Sequence, residues 1–455
     1  MTSLKSKFMD LYEIVHDACI ENSDGKAKAR TTLLLTGYMS NIVSSITAGI
    51  FFTAFMLALG ASDVYIGYIS IATSTCTLIQ FLSPLLWERI KRRKPALVAW
   101  AFISNILTYL GITLIPFLKT QNETKLIIYV VITIFTSLVG SLFSSATSAW
   151  TLPSLPFEKR VNYSSLANLG ATIINVAAAF LASIYLDSME SSETLVDGIS
   201  NTLIAVVVLR LISFAIIMTS SVLTALHVKE YPYETAADQK DNKGLRMLLS
   251  PLRDKAFMMI ILIPAFQTLS GSIIGNFYNI HLVSNVNLSY TAISAVTFIT
   301  TPATLLFTII WTMLLRKNTW LKCLAVAYAG YAVAWTSNVF ISATTPYFYF
   351  ISIIIGNLFS PCMNLVGGNL LYMKLPEANR TAYLGFYTIL TQVCAIIGQW
   401  IGTTFVQFTP NLKFTLFGVE ICNLQLTSGI AAFGMVCLVV YTLRMSRNPE
   451  YSGKP

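Results

Sequence analysis

Four stretches of this chain place neutral polar side chains at helical spacing within otherwise apolar sequence. Asn41, Ser44 and Ser45 share one helical face with Ala48 and Phe52. Ser137, Ser141, Ser144 and Ser148 form a stripe. Gln267, Gly271, Ile274, Tyr278 and His281 align, as do Asn357, Pro361, Asn364 and Gly368. Amide, hydroxyl and aromatic groups of this kind recognise a solute by hydrogen bonding and stacking. The competing use is tight helix packing, because small and hydroxylated residues mediate helix contacts in lipid. The serines fit either use. The amides favour a cavity, since burying one without partners costs several kcal/mol. Tyr65, Tyr68, Gln80, Asn168, Asn175, Gln392 and Gln399 are secondary candidates.

Charged groups narrow the chemistry further. No Asp or Glu lies clearly inside an apolar run, so the carboxylate relay that commonly couples transport to a gradient is absent. His281 is either a coupling group or a plain hydrogen-bonded ring. Arg210 is the one clearly intramembrane charge; it attracts an anionic substrate or serves as a structural, snorkelling residue. The seven Cys show no paired spacing and read as small core residues, with no metal or disulfide role expected. No Walker loop, zinc spacing, nucleophile elbow or paired titratable group appears, so neither an enzyme nor a cofactor is expected.

The elements that must position these residues follow from composition. Of 455 residues, 55% are hydrophobic and 11% charged, against roughly 25% charged in ordinary globular domains; mean hydropathy is +0.66. Runs long enough to cross a bilayer fall at 31–60, 63–87, 96–118, 125–150, 164–186, 201–227, 256–284, 291–315, 321–343, 347–372, 383–408 and 424–445. Twelve spans with both termini inside put every Lys and Arg on the inner side except Lys119, Lys125, Lys413 and Arg210. The net charge of +9 is therefore topological and implies no nucleic-acid partner. The first 30 residues carry charges throughout, so no removable signal peptide is expected. Asn122-Glu123-Thr124 and Asn287-Leu288-Ser289 are outward sequons that matter only in a eukaryotic secretory pathway.

The chain also repeats itself. Leu155-Pro156-Phe157-Glu158-Lys159-Arg160-Val161-Asn162-Tyr163 recurs as Leu375-Pro376-Glu377-Ala378-Asn379-Arg380-Thr381-Ala382-Tyr383, with Leu, Pro, Arg and Tyr at identical spacing. Each copy leads into a long apolar helix. Pro156, Arg160, Tyr163, Pro376, Arg380 and Tyr383 are thus candidate repeat anchors, whose simpler use is to start helices at the interface. The expected organisation is an inner amphipathic segment (1–30, with Phe8, Leu11, Tyr12, Val15 and Cys19 on one face), a six-helix bundle (31–227), a charged linker (228–255), a second six-helix bundle (256–445) and a tail (446–455).

Twelve spans in two halves, a charged middle loop and inner termini resemble the major facilitator superfamily (MFS) over nearly the whole chain. The loop after the second span, Pro84-Leu85-Leu86-Trp87-Glu88-Arg89-Ile90-Lys91-Arg92-Arg93, is similar to that family's Gly-x-x-x-Asp-Arg-x-Gly-Arg-Arg, with Glu88 for the acid and both Gly positions lost. Gly60-Ala61-Ser62-Asp63 through Ile66-Gly67 also looks like the family. The resemblance implies an inner latch at Glu88, Arg89, Arg92 and Arg93, whose alternative use is to keep helix ends on the inner face. It also implies a cavity lined by the first, fourth, seventh and tenth spans, which carry the four polar stripes. The fourth span lacks an Arg and the fifth a Gly-Pro pair, so drug–proton exchange is not supported.

The expectation is an all-α multi-pass protein of the plasma membrane, a monomer. It works as a secondary active or facilitative permease that moves a small polar organic solute by alternating access about a midplane site. The partners are a small-molecule substrate and the lipid bilayer, with a coupling ion left open. Two alternatives stand beside it: export of amphipathic compounds or peptides, and a non-transporting membrane sensor.

Overall fold

The computed structural model describes residues 25–87, 90, 92–155, 160–190, 200–230, 250–374 and 380–448. The amphipathic segment before residue 25 and most of the linker (231–249) lie outside the described residues. Helices dominate: α1 (Ala27–Thr47), α2 (Ile50–Ala58), α3 (Asp63–Thr77), α4 (Lys94–Asn105), α5 (Asn122–Thr151), α6 (Arg160–Glu190), α7 (Asn201–His227), α8 (Lys255–Ile274), α9 (Tyr290–Lys317), α10 (Trp320–Val339), α11 (Tyr347–Leu370), α12 (Arg380–Phe408) and α13 (Asn423–Ser446). Several begin on side-chain caps. Ser62, Ser200, Asp254 and Ser289 accept backbone N–H bonds from Tyr65, Leu203, Phe257 and Ala292, filling donors that a helix start leaves open.

Among the described residues, ten helices are long and apolar enough to cross a membrane, or eleven when the pair α1 and α2, bent by 47°, is one span. The sequence led us to expect twelve. The remaining expected span, 321–343, forms α10 (Trp320–Val339), which is rich in Ala, Gly, Tyr and Trp and is not among the helices long and apolar enough to cross. Its physical setting explains the difference. It packs against α11 and α13, and buries Leu321, Leu324, Ala325, Ala327, Tyr328 and Ala334 on protein instead of offering them to lipid.

One element departs from the all-helical expectation. Strands β1 (Lys413–Leu416) and β2 (Val419–Cys422) form an antiparallel hairpin with Leu416 opposite Val419. Its two-residue turn, Phe417-Gly418, has positive φ at both positions (53° and 80°), as the tightest hairpin turns require. Lys413 and Glu420 face each other at 3.8 Å in solvent, a contact of little energetic weight.

Contacts group the chain into two compact units, Met1–Gly60 with Ile79–Ala237 and Ala61–Leu78 with Asp238–Pro455. In the first, α1 packs on α6 and α7, and Trp87, Leu97, Ala146, Trp150 and Val228 form a core. In the second, a large core runs through Ile260, Ile263, Trp311, Leu324, Tyr328, Cys362, Met435 and Leu438. The grouping differs at one element from the expected division at 31–227, because α3 packs along α12. Tyr68 donates to Gln407 (2.6 Å) and Gln392 to the Ser74 carbonyl (3.2 Å), and Thr403 lies against Gly67, where no Cβ could fit.

Candidate functional site

Two interruptions mark the first helix of each half. α1 stops at Thr47, Gly49 takes φ 57° and ψ −124°, and α2 resumes at Ile50. α8 stops at Ile274, Gly275 takes φ 46° and ψ −132°, and a short turn (Phe277–Ile280) follows. Both glycines sit in a region open essentially to glycine alone. A helix cut in mid-span strips partners from the carbonyls before the break and the N–H groups after it. In hydrocarbon such groups persist only where they are buried in protein or line a wet cavity.

In the second unit, the expected polar residues bracket Gly275. One residue on, Asn276, which the sequence did not single out, donates through Nδ2 to Ser70 Oγ of α3 (2.8 Å). Two turns before the break, Gln267 Oε1 accepts from the Tyr328 hydroxyl (2.8 Å). After it, the Tyr278 ring lies 6.4 Å from that of Tyr349, centroid to centroid. His281 opens a π turn (His281–Asn285) and is buried. Its Nε2 meets the Ile341 carbonyl at 2.8 Å, and its Nδ1 meets Asn285 Nδ2 at 3.2 Å and Cys422 Sγ at 3.7 Å. Of the tenth span, Asn357 donates to Thr300 Oγ1 (2.8 Å), which makes it a tie between α9 and α11, like Trp311 to Leu358 (2.7 Å) and Tyr349 to Ile293 (3.1 Å). Asn364 is exposed, one turn beyond Pro361 inside the same helix. Gln399 Oε1 and Thr403 Oγ1, one turn apart on α12, are buried without a hydrogen-bond partner.

In the first unit, Asn41, Ser44 and Ser45 occupy the last turns of α1 before Gly49. Asn41 donates to Gly37 O (2.9 Å) and Ser45 to Ile42 O (2.7 Å), while Ser44 is exposed. The serine stripe of α5 bonds its own helix: Ser141 to Ser137 O (2.7 Å), Ser144 to Ser141 O (2.9 Å) and Ser148 to Ser144 O (3.2 Å). It passes from buried at Ser141 to exposed at Ser148.

Arg210 is also buried in this unit, and the structure supplies what its sequence context hid. α4 continues into a π turn, Ile106–Gly111, a geometry that leaves one carbonyl without its usual helical partner. Arg210 Nη2 donates to Thr108 O there (2.8 Å) and Nε to Thr113 Oγ1 (3.2 Å). The guanidinium lies 4.8 Å from the centre of the Phe55 ring, a cation–π contact that desolvation strengthens.

For the expected latch, Glu88 and Arg89 lie outside the described residues, and Arg92 is exposed. Arg93 is buried and donates to the carbonyls of Ile90 (3.1 Å) and Trp87 (2.8 Å). Glu230, which the sequence did not single out, accepts the backbone N–H groups of Arg93 and Lys94 at the start of α4, where a carboxylate suits the helix dipole. Of the repeat anchors, Pro156 and Pro376 and the side chains of Arg160 and Arg380 lie outside the described residues. Arg160 and Arg380 do begin α6 and α12. Tyr163 is half-buried on α6. Tyr383 donates to Asp254 (3.4 Å) and meets the Phe257 ring edge-on at 4.6 Å.

The second copy thus ties the start of α12 to the cap of α8. Asp254, Tyr328, Ser70, Thr300 and Cys422 are site neighbours that periodicity could not reveal, since each is brought in by a different helix or by the hairpin.

Solved structures share this architecture. A point mutant of the nucleoside transporter NupG superposes with a TM-score of 0.62 at 12% identity, covering 91% of this chain and 99% of its own. A D-xylose–proton symporter gives 0.62 at 15%, covering 92% and 96%. A bacterial homologue of the iron transporter ferroportin, inward-facing, gives 0.65 at 13%, covering 92% and 98%. At such identities the likeness shows the fold alone. No curated protein matches in sequence. The model of the MFS_1 like family matches residues 34–416, and the chain therefore belongs to that family of membrane transporters, within the major facilitator superfamily.

Proposed function

We propose that this transporter moves a small polar organic solute by alternating access, and that the interruptions at Gly49 and Gly275 are where it meets its solute. One observation carries the reading: glycines of the same conformation break the first helix of each half. Paired interruptions at corresponding positions are the best pointer to a transporter site. Around Gly275 stand the half-buried Asn276 amide, Ser70 hydroxyl and Tyr278 ring, backed by the buried Tyr328 and Tyr349 and by Gln267, which holds the Tyr328 hydroxyl. That set suits hydroxyl-bearing, ring-containing solutes; a sugar and a nucleoside are both of this type.

The test is a thermal-shift screen of purified protein against sugars, nucleosides, organic anions, amino acids and amphipathic drugs, each with and without sodium and at two pH values. A solute that binds only the folded state, at about a hundred times its Kd, stabilises by about 2.7 kcal/mol. A saturable shift from one polar class is expected, and uptake of that solute into vesicles should drop at least about tenfold in G275A, where a Cβ is strained at φ 46°. Shifts from amphipathic compounds alone would replace this reading with export. Binding without uptake or counterflow would replace it with a sensor.

A further inference from the structure

Cys422 ends β2 and caps α13, and three groups converge on its sulfur. The backbone N–H three residues into α13 donates to the side chain, while Gln425 Oε1 accepts the Cys422 N–H (2.6 Å). Asn285 Nδ2 lies 3.3 Å from Sγ, and His281 Nδ1 lies 3.7 Å away. The ring's tautomer is set by its other nitrogen. Nε2 faces the Ile341 carbonyl at 2.8 Å, and a carbonyl only accepts, so Nε2 carries hydrogen and Nδ1 keeps a lone pair, which the thiol at 3.7 Å shares with the Asn285 amide N–H at 3.2 Å. Gln425 Nε2 binds that carbonyl as well (2.6 Å), fixing its position. The sulfur therefore has a proton acceptor on one side. On the others are two N–H donors, one of them at the positive end of a 24-residue helix.

We propose that Cys422 is a nucleophilic thiol with His281 as its base, and that the couple is a covalent modification site for low-molecular-weight disulfides. In the reaction, Sγ attacks one sulfur of R–S–S–R. The new Sγ–S bond forms as the old S–S bond breaks, the thiol proton passes to His281 Nδ1, and RS⁻ leaves and then takes that proton as RSH. The donors from Asn285 and the helix end face the sulfur where negative charge develops as S–H breaks. A mixed disulfide there also occupies the space of the Asn285 amide and disturbs the cap of α13. No other described thiol has such a setting: Cys76, Cys323 and Cys362 are buried, and Cys394 lies in the middle of α12. Cys437 is exposed on an apolar helix face beside Phe433 and Val436.

The experiment uses the detergent-purified full chain with 5,5′-dithiobis(2-nitrobenzoate), following release of the coloured thiolate and assigning the adduct by peptide mass spectrometry. Cys422 should react faster than glutathione under the same conditions. The fast phase should vanish in C422S and slow at least about tenfold in H281Q, the scale of a lost general base. Should H281Q not fold, the pH profile of the unaltered chain serves: with a base beside the thiol the Cys422 rate should fall less steeply than that of glutathione as the pH is lowered, and an equally steep fall overturns the proposal. A Cys422 rate no higher than that of glutathione overturns the proposal. So does an unchanged rate in folded H281Q.

Discussion

Arg210 shows how a charge is kept in an apolar bundle without an acid beside it. Its guanidinium takes the Thr108 carbonyl within the π turn that follows α4, a threonine hydroxyl and an aromatic face. Replacing it with Met should therefore lower stability by about 3 kcal/mol, the cost of losing charge-assisted bonds and orphaning a buried carbonyl; an unchanged melting curve would refute this account. Tyr328 is a second case. Y328F leaves Gln267 Oε1 without its donor and should cost about 1–3 kcal/mol, read in the same assay. The charge of Arg210 was plain in the sequence, and its fate was not. A π turn departs from the 3.6-residue period on which the reading rested, and Thr108 and Thr113 have nothing in their spacing that announces a partner roughly a hundred residues away. Asn357 illustrates the opposite limit. Its amide was expected on a cavity wall, and the structure adds that its Nδ2 donates to a threonine on a neighbouring helix.

At the level of elements, the contact of α8 with α12 depends on what is missing. A Cβ added at Gly398 would meet the Leu269 carbonyl oxygen, and one at Gly402 the Ile273 carbonyl oxygen. These two glycines, one turn apart, let the backbones approach closely, as small residues do at helix contacts in lipid. G398A and G402A should each cost about 1–3 kcal/mol by overpacking. Gly140, with nothing near its absent Cβ, is the control: G140A should be neutral or up to about 1 kcal/mol stabilising from helix propensity. Equal effects at all three sites would sink the argument. The helices themselves were legible from hydropathy to within a few residues. The break at Gly275 was not, because 256–284 reads as one apolar run and a lone glycine within it is permitted by composition. The hairpin was hidden by its brevity, four residues a strand beside a span.

For the molecule as a whole, the distribution of basic residues predicts an orientation that can be tested. Reporter fusions at both ends should appear on the cytoplasmic side, as the concentration of Lys and Arg in alternate loops requires. A reporter facing outward at one end alone would require an odd number of crossings and a different count of spans, and reporters outward at both ends would invert the orientation.

The modest hydropathy of α10 has a consequence for how the chain is made. Membrane insertion proceeds as the chain is synthesised, and a segment is admitted largely on its own apolarity. α10 is poor in that respect, yet it packs against α13 more extensively than any other pair of described helices. Its cover is thus the last of those helices to leave the ribosome. Until Asn423–Ser446 arrives, α10 sits half-dressed in lipid or beside the insertion machinery. Premature termination just short of Asn423 would remove a single helix and leave α10 without its most extensive contact. A cell that monitors unfinished membrane proteins has, in this exposed segment, something to recognise.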